Sequence, residues 1–294
     1  MLFSQRMIFL ITILMAPAGR LLPAGEDLSG SFSLQSGPYL VEISRKDAFT
    51  MKRFSFDGVN LGVATGFYGT IFAPGPGKFI GAGHTEGGKE EVKTLELKVD
   101  GQPLAIEAEK TFTGQTITFR KVSHLANLEL TQLLRLAADR LVLSRTYRVL
   151  KEQPAYSLYV FQFCWSPETR EWLAQLGDGR IKEGLFLDDD GWQLNEDIKW
   201  TAVYSPAHQK GVLLYYPEVI PGQQRKSCYR DRKDVYHKYY LMMKLPALLS
   251  EGTLLGPYTA VLVGFKAPVP DWKKEAARQA ELLQLNFREK QIEH

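Results

Sequence analysis

A histidine and a glutamate lie two positions apart in a glycine-rich segment, residues 81–88, which has the sequence GAGHTEGG. Five of its eight residues have no side chain larger than a methyl group, and such a backbone adopts irregular conformations and approaches a ligand closely. Imidazole and carboxylate groups transfer protons near neutral pH. We therefore interpret His84 and Glu86 as candidate catalytic residues, with a flexible turn before the next strand as the alternative.

A second segment, residues 223–240, interleaves basic residues with tyrosines and one histidine and has the sequence QQRKSCYRDRKDVYHKYY. A guanidinium group binds a carboxylate through two hydrogen bonds, and an aromatic face packs on the apolar side of a sugar ring. The composition indicates a surface for an acidic sugar, with a solvated basic loop as the alternative. Alternation along a strand places His237 and Tyr239 on one face and Lys238 on the other. The candidate substrate-binding residues are Arg225, Arg230, Arg232, Tyr236 and Lys238, and the candidate catalytic residues are His237 and Tyr239.

A third candidate lies at the end of an apolar run, where Trp165 is followed by Glu168 and Trp172. Loops at strand ends often carry binding and catalytic groups. Trp165 or Trp172 is a candidate platform for a sugar ring, and Glu168 is a candidate carboxylate. The alternative is that both tryptophans belong to the core, which is the commoner position for tryptophan at a strand end.

Several other types of site receive no support from the sequence. The run at 188–191, DDDG, lacks the ligand spacing of an EF-hand and is explained by a hairpin turn. The two cysteines, Cys164 and Cys228, form no zinc-binding pattern, and whether they pair stays open. Nucleophile-elbow, phosphate-loop, zinc-protease and dinucleotide-binding motifs are absent. We expect neither a metal nor a cofactor.

The elements that position these candidates are mostly strands. Asp57-Gly58 and Asp100-Gly101 each separate two alternating runs, which is a strong hairpin signal. Residues 128–150 are predicted to form a long hairpin that turns at Ala138-Asp139, although the first arm also has helical spacing. The tail at 271–290 is rich in Ala, Leu, Glu, Lys and Arg and predicts an amphipathic helix. The sequence therefore predicts an all-β fold, a large antiparallel sandwich with a C-terminal helix.

The start of the chain has the order of a secretory signal. Arg6 precedes the apolar run at 7–15, and Ala16-Pro17-Ala18 supplies small residues at the positions that a signal peptidase recognises. The apolar run is well short of the about 20 residues that span a bilayer. We expect a signal peptide at 1–18, with an alternative end near 24, and one sandwich domain at 25–294. The mature protein is expected to be secreted or periplasmic and to have no stable membrane anchor.

The layout resembles that of the galactose mutarotase-like β-supersandwich, which is shared by aldose epimerases, several polysaccharide lyases and domains of some glycosidases. The resemblance rests on an early strand at 39–44, the segment at 66–69, the glycine-framed His84 and the aromatic strand that ends at 163–166. It implies a role for His84 as the counterpart of the family's glycine-flanked active-site histidine. The epimerases usually carry an Asn-His pair on the aromatic strand, whereas residues 161–165 have the sequence FQFCW.

The leading hypothesis is a secreted carbohydrate-active protein, a polysaccharide lyase on uronate-containing chains. Such elimination needs a cation for the substrate carboxylate, a base and an acid. The arginines at 225, 230 and 232 are candidates for the first role, His84 or His237 for the second, and Tyr236 or Tyr239 for the third. The alternatives are a carbohydrate-binding protein without catalysis, a sugar epimerase, or a glycoside hydrolase with Glu86 and Glu168 as its two carboxylates. The expected partner is a poly- or oligosaccharide, and the formal charge of +3 is too small to indicate nucleic acid.

Overall fold

The structure is a computed structural model that describes residues 20–21, 30–65, 68–83, 90–187, 193–218, 223–229 and 235–292, with the backbone alone at 20–21, 223–229 and 288–292. The first strands are β1 (Arg20–Leu21), β2 (Ser31–Ser36), β3 (Tyr39–Ser44), β4 (Thr50–Phe56), β5 (Val59–Gly62), β6 (Ile71–Gly75), β7 (Lys78–Gly81), β8 (Glu90–Val99), β9 (Gln102–Leu104), β10 (Thr111–Thr113), β11 (Thr116–Leu125) and β12 (Leu128–Ala137). The remaining elements are β13 (Arg140–Val149), β14 (Gln153–Pro154), β15 (Ser157–Trp165), β16 (Glu171–Leu176), β17 (Ile181–Leu185), β18 (Ile198–Ser205), β19 (Lys210–Tyr215), β20 (Gln223–Tyr229), β21 (His237–Lys244), β22 (Leu248–Leu249), β23 (Leu254–Lys266) and the helix α1 (Trp272–Ile292).

Most of the described strands form two large sheets. Sheet 1 has the order β1-β8-β11-β12-β13-β23-β19-β18-β16-β17, with β9 paired to β8. Sheet 2 has the order β10-β2-β3-β4-β5-β15-β21-β20, with β6 and β7 joined at β15. Neighbouring strands are antiparallel apart from the short parallel pair of β10 and β2. The predicted antiparallel all-β sandwich is confirmed.

The strongest local signals have the expected outcome. Asp57-Gly58 joins β4 to β5 and Asp100-Gly101 joins β8 to β9, and all four residues have positive φ angles between 49° and 82°. Glycine adopts such angles without steric cost, which is why an Asp-Gly pair favours this turn. The ambiguous stretch at 128–150 is a hairpin, with Ala137 opposite Arg140.

The inner face of sheet 1 packs against sheet 2 in the main core. The predicted tail helix, α1, covers the part of the outer face that β18, β19 and β23 form. Trp272, Ala276, Ala280 and Leu283 recur at helical spacing and form the apolar stripe of α1 against sheet 1. Trp272 stacks on Tyr204 with ring centroids 5.0 Å apart. The C-terminal helix therefore closes a second, smaller hydrophobic core on the outer face of sheet 1.

Several predictions fall on other parts of the chain. The predicted signal peptide at 1–18 and the turn at Asp190-Gly191 lie outside the described residues. In the described part of the chain, no helix combines the length and the apolar character needed to cross a bilayer. The single-domain division stays a prediction.

Candidate functional site

Three polar residues form a row across the middle of the inner face of sheet 1. Lys121 on β11 lies directly opposite Gln132 on β12, and Gln132 lies directly opposite Arg145 on β13. Directly opposed residues on neighbouring strands project to the same face. The flanking inward positions, such as Leu134 and Leu143, are apolar and buried. The polar row, as we call Lys121, Gln132 and Arg145, therefore interrupts a face that otherwise builds the core.

Lys121 forms a completely buried ion pair with Glu90, the first residue of β8. Its Nζ lies 2.8 Å from Glu90 Oε1, and both side chains are only 1% exposed. The ammonium also donates to the Ala48 carbonyl oxygen at 2.5 Å, and the Ser123 hydroxyl donates to the same Glu90 oxygen. Burial lowers the pKa of Lys121, although the charge and hydrogen bond of Glu90 act in the opposite direction. The second oxygen of Glu90, Oε2, is buried and has no hydrogen-bond partner among the described residues.

Arg145 fills a gap in sheet 2. Strand β15 pairs with β6 only at its beginning and with β5 only at Trp165. In the described structure no strand covers this side of β15 between those points. There the Val160 carbonyl accepts a hydrogen bond from Arg145, and the Cys164 carbonyl accepts one from the Tyr68 hydroxyl at 2.7 Å. Arg145 thus donates to a backbone carbonyl of β15 that has no neighbouring strand on this side among the described residues.

The remaining contacts of Arg145 fix its orientation. The guanidinium donates to the carbonyl oxygens of Tyr68 at 2.7 Å and Gly69 at 2.8 Å, and it lies 4.7 Å from the ring centroid of Phe161. Burial lowers the pKa of Arg145. Two residues further along β13, burial raises the pKa of Tyr147 to about 12, and this hydroxyl lies 2.7 Å from Thr70 Oγ1. The neighbourhood is polar and buried.

A cavity of about 40 Å³ lies beside the polar row. All three residues of the row line it, together with apolar side chains that include Phe49, Met51 and Phe119. One water needs about 10 to 15 Å³ of such volume, so the cavity has room for a few waters or for one polar group of a ligand. The Nε2 of Gln132 is buried and has no hydrogen-bond partner in the described part of the chain. The cavity therefore offers a free donor at Gln132.

The glycine-rich segment lies just before Glu90 in the sequence. Residues 84–89, with the candidates His84 and Glu86, lie outside the described residues and connect Gly83 to Glu90. Gly83 has a φ of 72°, and a Cβ atom there would overlap Thr50 Oγ1. Glycine is therefore required where this segment leaves the described fold, next to the start of β4.

The other candidate histidine lies in a different environment. The ring of His237 is buried and stacks on Phe186 with centroids 4.5 Å apart, and its Nε2 lies 3.2 Å from the Pro167 carbonyl oxygen. Neither Phe186 nor Pro167 lines the cavity. Tyr239 shares the inward face with His237 and packs against Phe163 with centroids 6.4 Å apart. The described contacts thus do not bring His237 to the polar row.

The remaining candidates are divided between the core and the surface. Trp165 is buried and stacks on Phe163 at 5.2 Å. Lys238 is buried on the opposite face of β21, and its Nζ lies 5.9 Å from the ring of Tyr236 and 5.0 Å from that of Tyr240. Glu168 is exposed and its Oε2 lies 2.6 Å from His208 Nε2. The backbone of Arg225 pairs with Leu241, its side chain is not described, and Arg230 and Arg232 lie outside the described residues.

The register of sheet 2 answers the question of cysteine pairing. Cys164 on β15 and Cys228 on β20 both lie opposite Lys238 of β21, one on each side of it. Two strand spacings separate their backbones by roughly 9 to 10 Å, whereas a disulfide requires Cα atoms within about 7 Å. The two cysteines therefore do not pair within the chain. Among the described residues no group of three or more His, Cys, Asp or Glu side chains is arranged to hold a metal ion.

The sequence analysis missed the polar row and Glu90. The alternation of apolar and polar residues along the strands could have revealed them. On β11 every second residue faces inward, and these residues are Ile117, Phe119, Lys121, Ser123 and Leu125. A lysine in such a series lies on the core face. On β13 the corresponding inward residue is Arg145, between Leu143 and Tyr147.

No protein-family model matches the chain, and no curated protein sequence matches it. Among solved structures, a putative aldose 1-epimerase from Escherichia coli is similar at 13% identity and a TM-score of 0.47, over 81% of this chain and 99% of that one. A galactose mutarotase-like protein from Lactobacillus casei is similar at 11% identity and a TM-score of 0.45, over 80% and 99%. The alpha-galactosidase AgaA from Geobacillus stearothermophilus is similar at 12% identity and a TM-score of 0.48, over 81% of this chain but only 41% of that one. The first two have the fold that the sequence resembles, and the likeness concerns the fold alone.

Proposed function

We propose that this chain is an exported carbohydrate-active protein that holds an acidic sugar against the polar row. One observation carries the proposal: the buried site contains two cations, Lys121 and Arg145, and Glu90 is the one carboxylate among the described residues that pairs with either. An uncompensated buried charge costs several kcal/mol. An anionic group on a ligand would compensate the excess positive charge. The free amide donor of Gln132, which lines the cavity, can hydrogen-bond to such an anionic group.

The chemistry that fits this arrangement is β-elimination on a uronate-containing chain. Arg145 and Lys121 would neutralise the substrate carboxylate and so stabilise the enolate-like charge that builds up. A base removes the proton on the carbon next to the carboxylate, the electron pair forms the new double bond, and the glycosidic oxygen leaves with a proton from an acid. His84 is the candidate base because its segment ends at Glu90.

Binding without catalysis is the second candidate. It is favoured by the described contacts of His237, which are with Phe186 and Pro167 and not with the residues around the cavity. In that case His237 stabilises the end of sheet 2, and the polar row acts as a recognition site. If the protein is a lyase, His84→Ala should abolish turnover. If it is a binding module, the unaltered protein itself should show no turnover.

The first test is a screen of the purified protein against acidic and neutral polysaccharides. Unsaturated products are followed by their ultraviolet absorbance, reducing ends are measured in parallel, and retention on immobilised polysaccharide is recorded. A rise in both signals on a uronate polymer supports the lyase. Reducing ends alone would indicate hydrolysis, and retention alone would indicate a binding module. The absence of unsaturated products, of new reducing ends and of retention would contradict the proposal.

The variant Gln132→Leu locates the site. It removes an unpartnered amide without changing charge, so we expect the fold to persist and ligand affinity or turnover to fall at least about tenfold, as expected when a hydrogen bond to a charged group is lost. Gln153→Leu is the matched control, because Gln153 is a buried amide on β14 with an unpartnered Nε2 outside the cavity. Equal losses in both variants would place the ligand elsewhere.

Export is tested separately. The protein produced from its full sequence is expected in the periplasm or the medium, and mass spectrometry of its first residues should show an N-terminus after residue 18 or near 24. An intact N-terminus on cytoplasmic protein would contradict export without affecting the sugar site.

A further inference from the structure

Strand β17 is an edge strand that exposes large apolar side chains, although it also carries Lys182 and Glu183. It pairs with β16 on one side, and no strand of the described structure pairs with its other side. Ile181 and Leu185 on one face are 54% and 55% exposed, and Leu187 just beyond the strand is 56% exposed. Natural edge strands are usually shortened, charged or broken by proline. At the other side of the same sheet β9 is three residues long and contains Pro103.

A groove with a volume of about 640 Å³ follows this edge. Lys182 and Gly184 line it from one face of β17, and Glu183 and Leu185 line it from the other. Trp172 lies beneath Gly184, where a Cβ atom would approach its ring to 2.7 Å. The buried Nε1 of Trp172 has no hydrogen-bond partner in the described part of the chain. A groove lined from both faces of an edge strand has the position of one additional strand.

We propose that β17 pairs with β17 of a second copy of this chain, antiparallel and about a two-fold axis at Glu183. This register places Ile181 opposite Leu185 of the second copy, and Leu185 opposite Ile181, so the exposed apolar side chains cover each other on one face. On the other face Lys182 lies opposite Gly184, which has no side chain that could collide with it. A two-fold interface must complement itself in this way.

The charges on the axis are also compensated. The register brings Glu183 opposite Glu183 of the second copy, and like charges in this position destabilise a pair of strands. In each copy, however, Lys273 Nζ at the start of α1 lies 2.9 Å from Glu183 Oε2. The axis therefore gathers two carboxylates and two ammonium groups. The second copy fits this edge better than an uncharged peptide, because it brings its own Ile181 and Leu185 to the exposed apolar positions and its own Lys273 to the carboxylates on the axis.

The oligomeric state tests the proposal directly. Sedimentation equilibrium of the purified protein should give the mass of two copies, and Leu185→Lys should halve it at the same concentration while circular dichroism stays unchanged. Leu254→Lys is the matched control, since Leu254 is 66% exposed on a different strand and should leave the mass at two copies. The mass of one copy for the unaltered protein at every concentration tested overturns the proposal.

A cross-linking experiment tests the register and does not depend on Leu185→Lys folding. In a Cys228→Ser background, which leaves Cys164 buried, Glu183→Cys should form a disulfide-linked dimer on mild oxidation, because directly opposed residues lie about 5 Å apart. Lys182→Cys should not, since it faces Gly184 of the second copy. Cross-linking of Lys182→Cys but not of Glu183→Cys overturns the pairing. The result is independent of the proposed sugar site.

Discussion

Two regions of the molecule bury positive charge, and they do so in different ways. Around Lys121 and Arg145 the partners are a carboxylate and four backbone carbonyls, and a cavity lies beside them. At the β15–β21 end, Lys238 lies within reach of two tyrosine rings and His237 stacks on Phe186. The first region is a polar network inside the sandwich, whereas the second places a lysine and a histidine against aromatic rings. Single polar residues at inward strand positions can thus build a buried polar site without a dense run of charged residues in the sequence.

Removing the two buried cations is the strongest test of this difference. We expect Arg145→Met to lower the free energy of unfolding by about 3 to 5 kcal/mol, because it leaves buried carbonyls without donors. Lys238→Met should cost less, because it removes a cation that lies against two aromatic rings, and such contacts contribute about 0.5 to 2 kcal/mol each. Urea unfolding measures both. If Arg145→Met does not fold, Arg145→Lys takes its place, since it keeps the charge but loses the forked donor. Equal costs would show that the two regions do not differ.

Breaking the ion pair is expected to have the next largest effect. Glu90→Gln leaves the Lys121 ammonium buried without its carboxylate, at a cost of about 3 kcal/mol. The double variant with Lys121→Met should recover part of this loss, because the unpaired charge is then absent. The coupling energy from a double-mutant cycle of urea unfolding is the measurement. Strictly additive losses would mean that the pair contributes nothing to the polar network.

The next prediction concerns the loss of stability at alkaline pH through Tyr147, which lies beside Arg145. Burial raises the pKa of Tyr147 from 10.0 to about 12, so the folded protein keeps a proton that the unfolded chain loses between these values. The contribution of the Tyr147 hydroxyl to the free energy of unfolding is fully present below pH 10. It decreases as the pH rises toward 12, by at most about 3 kcal/mol. Tyr39 has the same direction, because burial raises its pKa to about 12 as well. The lowered pKa of Lys121 has the opposite sign.

Tyr147→Phe isolates the contribution of the polar network. The free energy of unfolding, measured with urea, should fall less between pH 9 and 12 in Tyr147→Phe than in the unaltered protein. Tyr39→Phe is the matched variant, because Tyr39 is a tyrosine with a similarly raised pKa whose hydrogen bonds are not with the polar row. An unchanged slope in Tyr147→Phe would show that this hydroxyl is not shielded from water. The folded state would then be more open around β13 than its contacts indicate.

The smallest expected effect is at the exposed pair of Glu168 and His208. Glu168→Gln should change the free energy of unfolding by about 0 to 1 kcal/mol, because exposed ion pairs are screened by solvent. Thermal unfolding at low and high salt measures it. A loss of catalysis without a loss of stability in this variant would return Glu168 to the candidate carboxylates and would weaken the case for the polar row.

The elements that the sequence predicted well are those with local causes. Asp57-Gly58 specifies its turn through the conformational freedom of glycine, and the arms of the hairpin at 128–150 alternate on their own. The apolar stripe that begins at Trp272 predicts the helix and the face it buries. The irregular gap in sheet 2 had no such signal, because it depends on where β5 and β6 meet β15.

The strands, their turns, the C-terminal helix and the sandwich class could be predicted from the amino-acid sequence. The alternation of apolar and polar residues and the turn-forming residues that specify them lie within a few positions of one another. Only the tertiary structure decided which face of each strand is buried and which distant residues meet. Lys121, Gln132 and Arg145 are separated by at least eleven positions in the chain and become neighbours only through strand register. The same register holds Cys164 and Cys228 apart across Lys238. A side chain's chemistry depends on its neighbours, and in a β sandwich the pairing of distant strands supplies them.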